Sequence, residues 1–496
     1  MRRGGVLMHI TSLPAPYGVG TMGGCARRFV DFLQAAGQSL WQLLPLGPTG
    51  YGDSPYHSFS TFAGNPYLID LDLLAEEGLL EPGEYRSLDW GADPAEVDYG
   101  KMYRRRFPVL RRACGRLLED PPAEFEHFCR ENSFWLEDYA RFMAFKEAHG
   151  GQPWTEWELP LRARDPAVLA RVGQALEEDL AFWKGVQFLF FRQWKALKEY
   201  ANRHGVYIVG DLPIYVPGDS ADLWAGREQF QLDEDLRPME VAGCPPDGFS
   251  SDGQLWGNPL FDWDRMEREG YRWWVDRIAY QFRLYDVLRI DHFRGFDSYY
   301  AIPGGQTTAA GGRWRPGPGL KLFQAVEHDL GKKNIIAEDL GFLTPSVHQL
   351  RERTGFPGMK VLQFAFDSRD GEGAAYLPYN YPVNCVAYVG THDNDTVQGW
   401  LTSGPPGDVA RAREYLHLDR EEGEHWGMLR AIWASPAKWA VAQMQDLLGL
   451  GSGSRMNTPA TTKGNWRWRA LPGFDSPALA GKLHRQMELY GRLPQE

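Results

Sequence analysis

VLRIDHF, residues 287–293, is a run of Val, Leu and Ile with no glycine, and it carries two opposite charges. Its composition predicts a short β-strand. Side chains alternate faces along a strand, so Val287, Arg289 and Asp291 share one face while Leu288 and Ile290 take the other. A charged pair inside an apolar strand is costly unless it is paired or functional. Taken alone, the segment is equally consistent with a buried Arg–Asp bridge that only fixes local structure. Two further runs end in the same manner. NIIAEDLG (334–341) carries Glu338, and VAYVGTHDND (386–395) carries His392 and Asp393; VYIVGDLPIYV (206–216) separately reads as a strand ending in Asp211.

Working outward, strands are expected at 5–10, 39–45, 206–212, 287–293, 334–340, 359–365, 385–391 and 444–450. Most are separated by sequence of helical periodicity. Eight such strands predict an α/β fold, a (β/α)₈ barrel closed on itself. A doubly wound open sheet competes, but no GxGxxG follows the first strand. Residues 1–496 are expected to form a single catalytic domain with two insertions. One is largely helical, at 70–200 after the second strand. The other, at 217–286, carries the loop VAGCPPDGFSSDGQLWGNPLFDWD (241–264). HWGMLRAIWASPAKWAVA (425–442) reads as helix. The glycine-rich stretch at 301–319 reads as a mobile loop, since it lacks the GK[ST] ending of a phosphate cradle.

Composition narrows the partners. A net charge of −12 opposes nucleic acid and anionic membranes, which both need a basic footprint. No apolar stretch approaches membrane-spanning length. Five scattered cysteines, Cys25, Cys114, Cys129, Cys244 and Cys385, show neither zinc spacing nor a disulfide framework. The apolar run after Arg2 and Arg3 is too short for a signal-peptide core, so a reduced, cytoplasmic protein is the default. Aromatic content is high, with 19 Trp, 22 Tyr and 26 Phe, and aromatic faces suit the C–H faces of sugar rings. The loop GPTGYGDSPYHSFSTFAGNPYLID (47–70) sets Tyr51, Asp53, Ser54, Tyr56 and Phe62 at a strand C-terminus, where barrel enzymes place binding residues.

Asp211, Asp291, Glu338 and Asp393 end the third, fourth, fifth and seventh expected strands, so all four face one barrel mouth. Acids so gathered repel one another and raise their pKa values unless a cation intervenes. Arg289 is an internal cation on the face of Asp291. Two chemistries use such a cluster. A divalent metal site is one, but the neighbouring guanidinium opposes a second cation. Glycoside hydrolysis or transfer is the other, with one ionised and one protonated carboxyl, and it accords better with Arg289 and the aromatic loops.

The chain resembles the amylomaltases, 4-α-glucanotransferases also called disproportionating enzymes, of the α-amylase clan. HITSLPAPYGVG, LLPLGPTGYGDSPY, GDLPIYV, PPDGFSSDGQLWGNP, LRIDHFRGF, AEDLG, THDNDT and RMNTPATTKGNWRWR stand in that family's order over essentially the full length. The resemblance implies Asp291 as nucleophile, Glu338 as general acid/base and Asp393 as the carboxylate that stabilises the transition state. It implies that Arg289 positions Asp291, and that His392, Asp211, Tyr56 and Asn457 line the donor subsite. Trp256 is then expected over the acceptor subsites, with Tyr51 and Tyr99 binding glucan remotely. The implied substrates are α-1,4-glucans and maltooligosaccharides, with no cofactor and no metal. A hydrolase of the same clan and a non-catalytic glucan-binding protein remain alternatives. Two positions depart from the family pattern: Cys244 replaces a small aliphatic residue, and PAT at 459–461 replaces PGT, so Ala460 lacks glycine's freedom at positive φ. The β-rich C-terminal domain of α-amylases is not expected here.

Overall fold

The computed structural model describes residues 1–245, 253–341, 343–369, 371 and 373–494. Eight short strands run parallel: β1 (Arg3–Leu7), β2 (Leu40–Gln42), β3 (Tyr207–Leu212), β4 (Val287–Ile290), β5 (Ile335–Ala337), β6 (Gly358–Val361), β7 (Cys385–Tyr388) and β8 (Trp439–Gln443). Their order in the sheet is β6-β7-β8-β1-β2-β3-β4-β5. The Ala337 amide donates to Pro357 O at 2.9 Å and joins the two outer strands. The result is the expected (β/α)₈ barrel. Helices Gly24–Ala35, Glu177–Arg203, Arg272–Leu284, Leu320–Leu330, Pro345–Thr354 and Glu424–Ala434 lie between strands. Nearly every strand residue is buried, as a sheet covered on both faces requires.

The eighth strand is not where the pattern put it. MQDLLGL folds as the short helix Met444–Leu447, and β8 is Trp439–Gln443, from the segment read as helix. Helix Glu424–Ala434 ends before Ser435 and Pro436, because proline cannot continue a helix. The chain then extends, and β8 pairs with β1 in the register Trp439 to Arg3 through Gln443 to Leu7. Alternating Ala and Val are too small to separate a strand from a helix by periodicity alone.

The two loop-like stretches also hold structure. Glu240–Cys244, Gln254–Pro259, Ser298–Pro303 and Arg313–Pro316 form a second, antiparallel sheet. Tyr300 faces Trp314 and Gly243 across it. Residues 301–303 and 313–316 are therefore strand, held by cross-strand bonds that turn-rich sequence does not advertise. Residues 246–252 of the PPDGFSSDG block lie outside the described residues.

Between β2 and β3 the chain is mostly helical. Buried Gln187 and Gln193 on helix Glu177–Arg203 each bond both backbone groups of one distant residue. Gln187 holds Gly64 at 2.7 and 2.9 Å, and Gln193 holds Asp70 at 2.7 and 3.1 Å. These amides satisfy buried backbone groups as a neighbouring strand would. They fix the far end of the loop that carries Tyr56. Among the described residues no helix is long and apolar enough to cross a membrane, and none beyond Gln443 is in a strand.

Candidate active site

Parallel pairing sets Asp211 of β3 directly against Arg289 of β4. Neighbours in register share a face, so both side chains enter the barrel, where each is more than nine-tenths buried. Arg289 Nη1 donates to both oxygens of Asp211 at 2.7 Å, and its Nη2 lies 2.9 Å from Asp291 Oδ1. One guanidinium thus compensates two carboxylates. The sharp approach of chain at this point needs Gly210, since a Cβ there would meet the Tyr285 ring at 2.1 Å.

β4 ends at Ile290, and the Asp291 amide closes on Leu212 O at 2.9 Å. The next residue, His292, takes a left-handed conformation with φ of 51°. That turn aims its amide at the end of β5, where it donates to Glu338 Oε2 at 2.7 Å. The Leu340 amide donates to Oε1 at 3.0 Å. Burial and then the Asp291 charge push Glu338 up to about 8, against Arg289 and the His292 amide, which favour the ionised form. Burial pushes the His292 ring down to about 4, so it is neutral at pH 7.

The third carboxylate stands on a turn after β7. Asn394 Oδ1 accepts from the Thr391 amide and hydroxyl at 2.8 and 3.0 Å, which folds the turn and presents Asp393. Asn457 Nδ2 donates to Asp393 Oδ1 at 2.6 Å, and His392 Nε2 lies 3.4 Å from the same oxygen. The His392 ring stacks on Tyr56 at 5.1 Å, and the Tyr56 hydroxyl donates to Asp211 Oδ2 at 2.8 Å. Contacts therefore run unbroken from Asn457 through Asp393, His392, Tyr56, Asp211 and Arg289 to Asp291. Trp256 joins from the second sheet, its ring edge-on to His292 at 4.8 Å.

Two further expected residues lie outside that run of contacts. Tyr51 is fully exposed on its loop. The Tyr99 hydroxyl donates to Trp466 O at 2.8 Å. Among the described residues no group of three or more His, Cys, Asp or Glu side chains is arranged to hold a metal ion.

Similarity to known proteins accords with this geometry. A family model described as 4-alpha-glucanotransferase matches residues 8–473. The chain belongs to this family. It is 50% identical to the 4-alpha-glucanotransferase of Thermus thermophilus, covering 99% of each chain. It is 46% identical to that of Clostridium butyricum, covering 98% of this chain and all of the other. The amylomaltase of Streptococcus agalactiae, solved with acarbose, superposes with a TM-score of 0.97 at 42% identity over the whole of both chains.

Within this 4-alpha-glucanotransferase, several site residues carried no sequence signal of their own. His292 matters through its backbone amide, which only its left-handed turn reveals. Trp466 adds a ring 5.9 Å from Tyr56 and 5.8 Å from His392. Arg455 donates to Asp393 O and, at 2.6 Å, to Asn457 O, tying the tail to the turn that carries Asp393. Buried Asp446, after β8, accepts from the Val397 amide at 2.7 Å and anchors the far side of that turn. The aromatic and basic density of RMNTPATTKGNWRWR was the available clue to Trp466 and Arg455. Ala460 does adopt positive φ, 62°, a conformation that costs a non-glycine residue about 1–2 kcal/mol.

Arg289→Met is expected to destabilise the fold by about 3–5 kcal/mol, because it strands the buried Asp211 carboxylate. Denaturant or thermal unfolding at pH 7 measures this, and a variant as stable as the parent would refute the charge sharing.

Proposed function

We propose that the chain transfers α-1,4-glucan segments to the 4-hydroxyl of an acceptor glucan or of glucose by retaining double displacement. The observation that carries this mechanism is a charge-compensated Asp291 beside a proton-holding Glu338 at one barrel mouth. Asp291 Oδ2 accepts no hydrogen bond among the described residues, which leaves it available to attack the anomeric carbon. As that bond forms, the glycosidic C–O bond breaks and Glu338 gives its proton to the departing 4-oxygen. In the second half Glu338 takes the proton from the acceptor 4-hydroxyl, whose oxygen displaces Asp291. The anomeric centre is inverted twice, so the α-configuration is retained.

Asp393 stabilises the oxocarbenium-like transition state through the sugar hydroxyls, held by Asn457 and His392. His392, Asp211, Tyr56 and Asn457 line the donor subsite, and Trp256 covers the acceptor side. Tyr51, fully exposed, contacts glucan away from the reaction. Residues 70–200 and 217–286 serve as insertions in a single catalytic domain. Bound acceptor and the loops at 47–62 and 243–259 exclude water, which favours transfer over hydrolysis. Free thiols at Cys25, Cys114, Cys129 and Cys385 support a reducing, cytoplasmic setting.

Incubation with maltotriose alone tests the function. Glucose together with maltopentaose and longer chains is the expected product pattern by chromatography. Glucose and maltose with nothing longer than the substrate would leave a hydrolase, and no products from maltotriose or starch would leave a binding protein.

A further inference from the structure

The barrel face opposite the carboxylates holds a cavity of about 420 Å³. Asn334, Pro357, Asn384 and Lys438, each the residue before a barrel strand, bring the N-terminal ends of β5 to β8 to its wall. That volume falls within the range of small-molecule sites. Its floor is apolar and aromatic, with Phe323, Phe356 and Trp439.

Its charge runs against the rest of the molecule. The chain carries −12 overall, yet four cations, Lys332, Lys333, Arg353 and Lys438, line this cavity against one carboxylate, Glu327. Among the described residues none of the four has a carboxylate within ion-pair distance. Lys333 and Lys438 instead rest near the rings of Phe282 and Trp439, at 5.6 and 4.8 Å. Helix dipoles account for part of this. Lys332 and Lys333 follow helix Leu320–Leu330, and Arg353 sits in the last turn of Pro345–Thr354. Lys438 lies on no helix, and capping alone does not gather these cations around a hollow with aromatic walls. Unpaired cations converging on one space repel one another, and a dianion relieves that repulsion. The aromatic floor suits the apolar face of an attached ring.

We propose that this cavity binds a phosphate monoester carried on a ring, a sugar phosphate or a nucleotide, independently of the glucan site. Thermal-shift and calorimetric titrations with glucose 1-phosphate, AMP and inorganic phosphate test it. The unfolding midpoint is expected to rise with concentration for glucose 1-phosphate or AMP, and which of them acts identifies the ring. Affinity is expected to fall with ionic strength. Saturation with maltose leaves the shift in place, because the glucan site is at the other end of the barrel. The surface variants Arg353→Glu and Lys438→Glu are expected to weaken binding at least about tenfold while transfer from maltotriose is retained. The proposal is overturned by no shift with any of the three at millimolar concentration. A response to inorganic phosphate alone removes the ring, and persistence of binding in both variants or its loss with maltose removes the site.

Discussion

Asp291→Asn is expected to lower kcat/KM for maltotriose disproportionation by about 10⁴-fold or more, with the fold retained. The amide is isosteric with the carboxylate but is a poor nucleophile, so no covalent glycosyl intermediate forms. Without that intermediate the double displacement has no first half. Stability changes little by comparison, since Arg289 keeps its two bonds to Asp211 and the Asp291 backbone amide keeps its bond to Leu212 O. Product analysis by chromatography, with unfolding followed in parallel, separates lost chemistry from lost structure. Substantial residual transfer in a pure variant would remove Asp291 from the role of nucleophile.

Glu338→Gln is expected to cost about 10²–10⁴-fold with glucan donors, the range for a general acid–base group. The pH profile carries the sharper information. With Glu338 held near 8 in the free enzyme, kcat/KM stays high to about that pH and then falls tenfold per unit, as the general acid loses its proton. Glutamine has no such proton, so that alkaline limb disappears. A donor whose leaving group needs no protonation, such as α-maltosyl fluoride, is expected to recover much of the first step. Stability moves the other way. The folded carboxyl binds its proton up to about pH 8, whereas an unfolded glutamate releases it near ~4.3. The folded state therefore holds more protons between those values, and stability falls as pH rises through them. Glu338→Gln removes that slope, so the variant unfolds at a higher temperature than the parent at pH 8. An alkaline limb unchanged in the variant would exclude Glu338 as the group that sets it.

Much of the site was legible because each carboxylate lies at the end of a strand or on the turn that follows one. Apolar runs closing in GDL, RID, AED and THD combine a local signal, the extended β pattern, with a rule of barrel geometry, that strand C-termini share one mouth. Where local signals conflict, the sequence misleads. Trp439–Gln443 and Met444–Leu447 exchanged identities because small apolar residues suit both states, and pairing with β1 decided the outcome. The second sheet was hidden because its strands are rich in glycine, proline and arginine, and because Glu240–Cys244 and Ser298–Pro303, far apart in the chain, must pair to join its two halves.

The sequence by itself determined the barrel, its polar C-terminal mouth and the carboxylates that face it, since strand periodicity and chain order are local properties. Only the tertiary structure decided how those groups are poised. Arg289 was expected to serve Asp291, but strand register makes it equally the partner of Asp211. The proton on Glu338 comes from burial and the Asp291 charge, and the amide that orients it comes from one left-handed turn at His292. Burial, register and the aim of a backbone amide depend on segments distant in sequence, so they exist only once the chain has closed on itself.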